Sequence, residues 1–213
     1  MKTDELITLL AHDTTPVKRG MLPLRLVLVA LLGAVAAFVI LVPWLGIRPD
    51  LAEAVGGMTF WMKATYTFGL GLAGFALVER LSRPGAKGLI GWILVGVFAI
   101  VIVGIAISQL MSTPPDEMRA AFMGSSWDKC PWRILVLSIP GLAVILWTMR
   151  RFAPTRLALA GAAAGLFAGG IAATVYGLHC QEIAAPFVAL WYSFGVILSA
   201  IAGAIVGPRV LRW

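Results

Sequence analysis

Six long apolar runs, separated by short polar connectors, restrict this chain to the folds of membrane proteins. Each run is close to the ~20 residues that a helix needs to cross the hydrocarbon core of a bilayer. Backbone polar groups in lipid must be satisfied within their own segment, so the runs predict helices, and the alternation of a membrane β-barrel is absent. The predicted spans are residues 24–45, 59–78, 89–111, 131–149, 157–178 and 183–206.

Composition agrees with a chain that lies in lipid. Hydrophobic residues make up 60% of the 213 residues and charged residues only 13%, whereas a soluble domain has about a quarter of its residues charged. The net charge of +7 does not indicate nucleic-acid binding, because the basic residues fall in short clusters between apolar runs. The sequence therefore predicts an all-α integral membrane protein with no direct contact to nucleic acid.

The distribution of lysine and arginine predicts the orientation of the spans. With a cytoplasmic N-terminus, 12 of the 17 basic residues lie in inner segments and 5 in outer segments. The positive-inside rule then places both termini in the cytoplasm. The sizeable outer loops, 46–58 and 112–130, are each expected to hold a short interfacial helix, and neither can form a domain with its own core. Lys63, the deepest charge, is expected to snorkel outward.

Small residues recur every four positions in two of the runs. Gly161, Gly165 and Gly169 follow this spacing in the fifth run, and Gly203 and Gly207 repeat it in the sixth. Small residues at this spacing let the backbones of two membrane helices approach closely. We expect packing rather than a pore, because the runs carry almost no charge at mid-depth, which also disfavours a transporter.

The first 20 residues predict a short amphipathic helix in the cytoplasm. Thr3 is a suitable N-cap, and Asp4 and Glu5 lie in the first turn, where the helix dipole favours acids. The apolar residues of this helix are Leu6, Ile7, Leu9 and Leu10. About three turns are marginal in water, so the helix needs a surface on which to bury them. That surface is either the inner leaflet or a groove on a cytoplasmic protein, and the acidic polar face favours the protein slightly.

Both cysteines, Cys130 and Cys180, fall on the outer side in the predicted topology. The polar residues near them in the sequence include Asp128, His179 and Glu182. Three interpretations stay open: a permanent disulfide, a redox sensor, and a metal site formed by the two thiols with His179 and Glu182. The local pattern H-C-x-E is not a specific metal signature, and the C-x-x-C of thioredoxin-type exchange is absent.

Catalytic motifs are missing from the sequence. It has no P-loop, no H-E-x-x-H, no G-x-S-x-G and no dinucleotide fingerprint, so we expect neither enzyme activity nor a cofactor. The alternative hypothesis is a membrane thiol-disulfide oxidoreductase coupled to quinone. The absence of a second cysteine pair counts against it, because such relays usually use two pairs.

Five stretches, taken together and in order, resemble the NrsF-type family of integral membrane anti-sigma factors. They are MKTDELITLLA at the start, LGIRPDLAEAVGGMTFWMKATYTFGLGLAG, CPWRIL at Cys130, HCQE at 179–182, and APFVALWY with GPRVLRW at the end. The resemblance runs over nearly the whole chain. It implies a negative regulator that holds an extracytoplasmic-function sigma factor at the bacterial inner membrane, away from core RNA polymerase.

The resemblance also implies that the chain has two functional parts. Residues 1–20 are the expected sigma-binding segment, with Leu6, Ile7, Leu9 and Leu10 as anchors beside Asp4 and Glu5. Residues 21–213 are the expected six-helix sensor domain, and Cys130 and Cys180 are its expected signal input. Oxidants or heavy metals would act on these thiols and release the sigma factor.

Overall fold

The computed structural model describes residues 3, 5, 7, 8, 21–83, 85–152 and 154–212. Regular structure in these residues is helical, with no strand among them. The four described residues before Met21 are helical, and Ile7 is 59% exposed. The other residues predicted to bind a partner, Asp4, Leu6, Leu9 and Leu10, lie outside the described residues.

From Met21 onward, six long α-helices and two short ones follow one another along the described chain, with a 3-10 turn at Arg150–Phe152. They are α1 (Met21–Leu45), α2 (Leu51–Val55), α3 (Met58–Leu81), α4 (Leu89–Met111), α5 (Met118–Met123), α6 (Cys130–Met149), α7 (Leu157–Tyr176) and α8 (Ala185–Val210). Helix α8 contains a π-helical turn at Val188–Tyr192. The short helices α2 and α5 lie in the connectors 46–57 and 112–129, as the sequence predicts.

Five of the described helices are long and apolar enough to cross a membrane: α1, α4, α6, α7 and α8. Helix α3 has 24 residues, and its bounds match the second predicted span. It does not belong to the five, and it carries Lys63, Glu79 and Arg80 among its apolar residues. The all-helical membrane character of the chain is thus confirmed, with five qualifying spans rather than six.

Helix α7 lies at the centre of the bundle and packs against α1, α3, α6 and α8. Its contact with α8 is backbone against backbone. A Cβ placed on Gly161 would collide with the carbonyl oxygen of Gly203 and lie 2.9 Å from the Cα of Gly207. A Cβ on Gly165 would collide with the carbonyl oxygen of Ser199. The predicted packing role of the glycines is confirmed, because side chains at these positions would hold the helices apart.

The connectors meet at two opposite ends of the bundle. The thiol end consists of connectors 46–57, 112–129 and 177–184, and the arginine end consists of connectors 82–88 and 150–156. At the thiol end the connectors are bonded to one another, for example through Arg48 N–H, which donates to Leu178 O at 3.0 Å. The thiol end is therefore one connected layer that covers the ends of the helices.

Candidate functional site

The two cysteines lie in one apolar cluster at the thiol end. Cys130 is the first residue of α6 and is 0% exposed, while Cys180 lies in connector 177–184 and is 3% exposed. Both thiols are free. They share the cluster with Tyr176 and Tyr192, among other residues. The arrangement brings together two thiols 50 positions apart, without the disulfide of the first interpretation.

Two tyrosine hydroxyls are buried in the same cluster. Tyr176 and Tyr192 are both 0% exposed, and their ring centroids are 5.7 Å apart. Neither hydroxyl has a hydrogen-bond partner among the described residues. An unpaired buried polar group costs about 1–3 kcal/mol. Each hydroxyl nevertheless interacts with a neighbouring polar side chain, Tyr176 with Cys130 and Arg133, and Tyr192 with Cys180.

Lys63 is buried beneath connector 177–184 and does not reach water. It is 3% exposed, and its Nζ donates to Cys180 O at 2.8 Å and to Glu182 O at 2.9 Å. The same Nζ lies 5.5 Å from the ring centroid of Tyr192. Lys63 thus extends toward the predicted outer end, but its ammonium does not reach water, because two carbonyl oxygens and an aromatic face compensate the buried charge.

Arg48 anchors the same connector from the other side. Its Nη1 donates to Cys180 O at 3.3 Å, while Nε and Nη2 donate to the two carboxylate oxygens of Asp50 at 2.9 and 2.6 Å. This ion pair holds the pKa of Asp50 down to about 2 and raises the pKa of Arg48. The Cys180 carbonyl therefore accepts from two cations, Arg48 and Lys63, which fix the backbone beside the thiol.

His179 has a hydrogen-bond partner at each of its two ring nitrogens. Nδ1 lies 3.0 Å from Gly46 O, which can only accept, so Nδ1 carries the proton. Nε2 then accepts from Arg133 Nη1 at 3.3 Å. Burial is the main factor that lowers the pKa of His179, and the charge of Arg133 also lowers it, whereas the hydrogen bond to Gly46 O acts in the opposite direction. The imidazole thus joins connector 177–184 to the end of α1 and to α6.

Acid is expected to weaken the thiol end through His179. The lowered folded-state pKa means that the unfolded chain takes up a proton first, so stability is lost as pH falls below the ordinary value of 6.5. Protonation would also aim an N–H of His179 at the guanidinium of Arg133. We expect a lower melting temperature at about pH 5 than at about pH 7.5, and a smaller difference in His179→Asn. His12→Asn is the control, and equal pH dependence in all three proteins would contradict the assignment.

Glu182 links connector 177–184 to connector 112–129. Its Oε1 accepts from the backbone N–H and the Oγ of Ser125, each at 2.7 Å, and from Ser126 Oγ at 3.3 Å. Gly124 makes the close approach possible: its φ is +51°, and a Cβ there would lie 2.6 Å from the carboxyl carbon of Glu182. Glu182 therefore bonds the two connectors to each other, whereas Asp128 is exposed.

The described residues do not fit a metal centre with side-chain ligands from this cluster. No group of three or more His, Cys, Asp or Glu side chains in the described part of the chain is placed to hold a metal ion. Both ring nitrogens of His179 are already bonded, and the Glu182 carboxylate faces Ser125 and Ser126. The metal interpretation therefore lacks a third ligand in this arrangement.

A cavity of ≈ 260 Å³ opens beside one of the two thiols. Its lining includes Arg48, Arg133, Tyr176, His179 and Cys180. Cys130 does not line it. A small reagent at the thiol end would therefore meet Cys180 first, and Cys130 only after the cluster rearranges.

Three basic residues contact segment 179–182 in a way that the sequence analysis did not predict, although a signal pointed to them. Arg48, Lys63 and Arg133 are basic residues on the predicted outer side, where the positive-inside rule disfavours them. All three bond to the segment 179–182 or to its backbone. Basic residues that break the topology rule were thus the available signal, and the tyrosines Tyr176 and Tyr192 carried none beyond ordinary apolar character.

Comparison with known proteins identifies the family. The family model described as "Negative regulator of sigma F" (NrsF) matches residues 10–213. The chain belongs to the NrsF family. The anti-sigma-F factor NrsF of Caulobacter vibrioides (strain NA1000 / CB15N) is 48% identical over 214 residues, and both chains are covered completely.

A second NrsF relative agrees with the first. The probable anti-sigma-F factor NrsF of Azospira oryzae (strain ATCC BAA-33 / DSM 13638 / PS) is 39% identical over 218 residues, again with complete coverage of both chains. No solved structure matches this chain. The family inferred from the five stretches is confirmed. Both relatives are named as regulators, which confirms that the chain is not an enzyme and sets the oxidoreductase alternative aside.

Proposed function

We propose that this chain is an anti-sigma factor of the bacterial inner membrane that holds an extracytoplasmic-function sigma factor and releases it when a signal reaches the thiol end. The observation that carries the proposal is the buried free thiol pair beneath a cavity, in a chain of the NrsF family. Co-purification of the full-length chain with cytoplasmic proteins, with and without peroxide, tests it. A sigma factor should be retained only without peroxide.

The proposed topology has six spans, with α3 as the sixth and both termini in the cytoplasm. Its support is that α3 packs against α4 and the central α7 as an integral part of the bundle. The thiol end then faces the periplasm and the arginine end the cytoplasm. A membrane-impermeant label applied from outside the cell tests this topology, because it should reach connector 112–129 and not connector 150–156.

The proposed sigma-binding segment is residues 1–20. Leu6→Asp combined with Leu10→Asp is expected to weaken sigma-factor binding about 100-fold or more, because each change places a charge where an apolar anchor would be buried. The measurement is a pull-down with the full-length variant. Thr14→Asp with Thr15→Asp is the matched control, since it adds the same charge outside the apolar residues. Retained binding in the leucine variant would remove this segment from the interface.

The proposed signal is oxidation of the thiol pair. A peroxide takes two electrons from the two thiols, the Cys130–Cys180 S–S bond forms, and the two thiol protons leave in the two water molecules produced. Bond formation would move connector 177–184, with the end of α7 that precedes it, relative to α6. This motion would have to reach the cytoplasmic face across ~30 Å of bilayer. A soft cation bound by both thiolates alone is the alternative signal, and exposure to cadmium in place of peroxide distinguishes the two.

Loss of either thiol is expected to abolish sigma-factor release by peroxide. Cys130→Ser and Cys180→Ser both keep the size of the buried group, so each should hold the sigma factor as the reduced protein does, with target transcription near its unstressed level. Met118→Leu with Met123→Leu is the control for oxidation at sulfur elsewhere in the same layer. Full induction in both serine variants would exclude the thiols from signalling.

A further inference from the structure

A second cavity, of ≈ 480 Å³, lies at the arginine end between connector 82–88 and the start of α7. Its apolar wall includes Leu81, Leu89, Leu159 and Trp92. These residues belong to the terminal turns of α3, α4 and α7, where the apolar part of each helix stops. The cavity therefore lies at the depth where hydrocarbon gives way to lipid headgroups, the depth at which tryptophan is enriched.

The polar part of this cavity is basic. Arg83, Lys87 and Arg156 line it, and no acidic side chain does. Glu79 lies outside the lining and pairs with Arg83, with 2.8 Å between Oε1 and Nη2. Lys87 and Arg156 form no ion pair with any described residue. Two cationic groups are therefore left without a counter-charge beside an apolar wall.

We infer that this cavity binds an anionic phospholipid, whose phosphate lies between Lys87 and Arg156. The part of the acyl chains nearest the headgroup then lies against the leucines and Trp92. Basic cavities between membrane helices select anionic lipids, because their positive charges attract the headgroup and lie at the depth of the headgroup in the bilayer. A free inorganic phosphate would leave the apolar wall uncovered, and a cation would be repelled by the two basic groups. The inference requires only that the chain lies in a membrane and does not depend on the sigma factor.

The position of the cavity gives such a lipid a structural role. Lys87 belongs to the connector between α3 and α4, whereas Arg156 directly precedes α7. One phosphate would therefore join the connector of α3 and α4 to the central helix. Contacts of this kind fix the end of α7 opposite the thiol end.

Native mass spectrometry of the full-length protein in detergent tests the inference. The probes are dioleoyl phosphatidylglycerol and dioleoyl phosphatidylcholine, which share their acyl chains and differ in net headgroup charge. We expect tighter binding of phosphatidylglycerol, weakened about tenfold or more by Lys87→Gln with Arg156→Gln. Binding of phosphatidylcholine should not change. The swap Lys87→Arg with Arg156→Lys should keep the preference, because it keeps both charges.

The matched control is Arg80→Gln with Arg212→Gln, which removes two exposed charges that do not line the cavity. This control should bind phosphatidylglycerol within about twofold of the unchanged protein. Equal weakening in the control and the Lys87/Arg156 variant would show general surface attraction and overturn the site. Preferred binding of hexaglutamate over phosphatidylglycerol would assign the cavity to an acidic protein segment, and displacement by inorganic phosphate alone would assign it to a free anion. If the double variant does not fold, the single variant Lys87→Gln, with Arg80→Gln as its control, gives the same comparison.

Discussion

Gly161→Ala is expected to lower the free energy of unfolding by about 3 kcal/mol, at the upper end of the range for overpacking. The added Cβ would meet the carbonyl oxygen of Gly203 and the Cα of Gly207. Both are backbone atoms, so no side-chain rotation can make room and the helices must separate. A loss of this size corresponds to a melting temperature lowered by about 6–12 °C. Fluorescence-detected size exclusion after heating measures it.

Gly104→Ala provides the control for this prediction. Gly104 lies in the membrane helix α4, and an added Cβ there meets nothing within 4 Å. The same chemical change should alter the free energy of unfolding by no more than about 0.5 kcal/mol. If both variants have the same melting temperature, the close backbone contact between α7 and α8 does not stabilise the bundle.

Lys63→Met is expected to speed the labelling of Cys180 about tenfold or more. The change leaves Glu182 O without its donor, at about 1–3 kcal/mol, and leaves Cys180 O with Arg48 as its remaining donor. Methionine keeps the length of the side chain, so connector 177–184 loses its hydrogen bonds more than its packing. The measurement is the rate of reaction with an impermeant maleimide in a Cys130→Ser background, where Cys180 is the remaining thiol.

Lys129→Met is the control for the charge change. Lys129 is exposed in connector 112–129 at the same end of the bundle, and its replacement should leave the labelling rate within about twofold. An unchanged rate in Lys63→Met would mean that Arg48 alone fixes the connector. In that event Arg48→Gln should show the acceleration instead.

The long helices were predictable because their signal is local. A run of about 20 apolar residues must be helical in lipid wherever it packs. The bounds of predicted spans such as 59–78 and 183–206 therefore differ by one to four residues from those of α3 and α8. The glycine contacts were predictable for a related reason, since spacing by four places small residues on one face.

The details of the thiol end depend on partners that are distant in the sequence. The depth of Lys63 is set by the carbonyls of Cys180 and Glu182, more than 100 positions away. A span pattern cannot reveal those acceptors, so the sequence predicted snorkelling. The bonds of His179 to Gly46 and Arg133, which occupy both ring nitrogens, could not be predicted for the same reason, and metal sensing by the two thiols stays a prediction. Sigma-factor binding by residues 1–20 stays a prediction.

Because both sulfurs are buried, opening of the layer that covers them limits the rate at which a reagent can react with them. A reagent can attack only during the fraction of time in which the covering layer is open, so the effective rate is the intrinsic rate multiplied by that fraction. Under the proposed thiol signal, a brief exposure to a weak oxidant would oxidise few molecules, whereas a sustained exposure would oxidise most of them. Substitution of Arg48, Lys63 or Glu182 would thus change the oxidant dose needed to modify the thiols, without altering either sulfur.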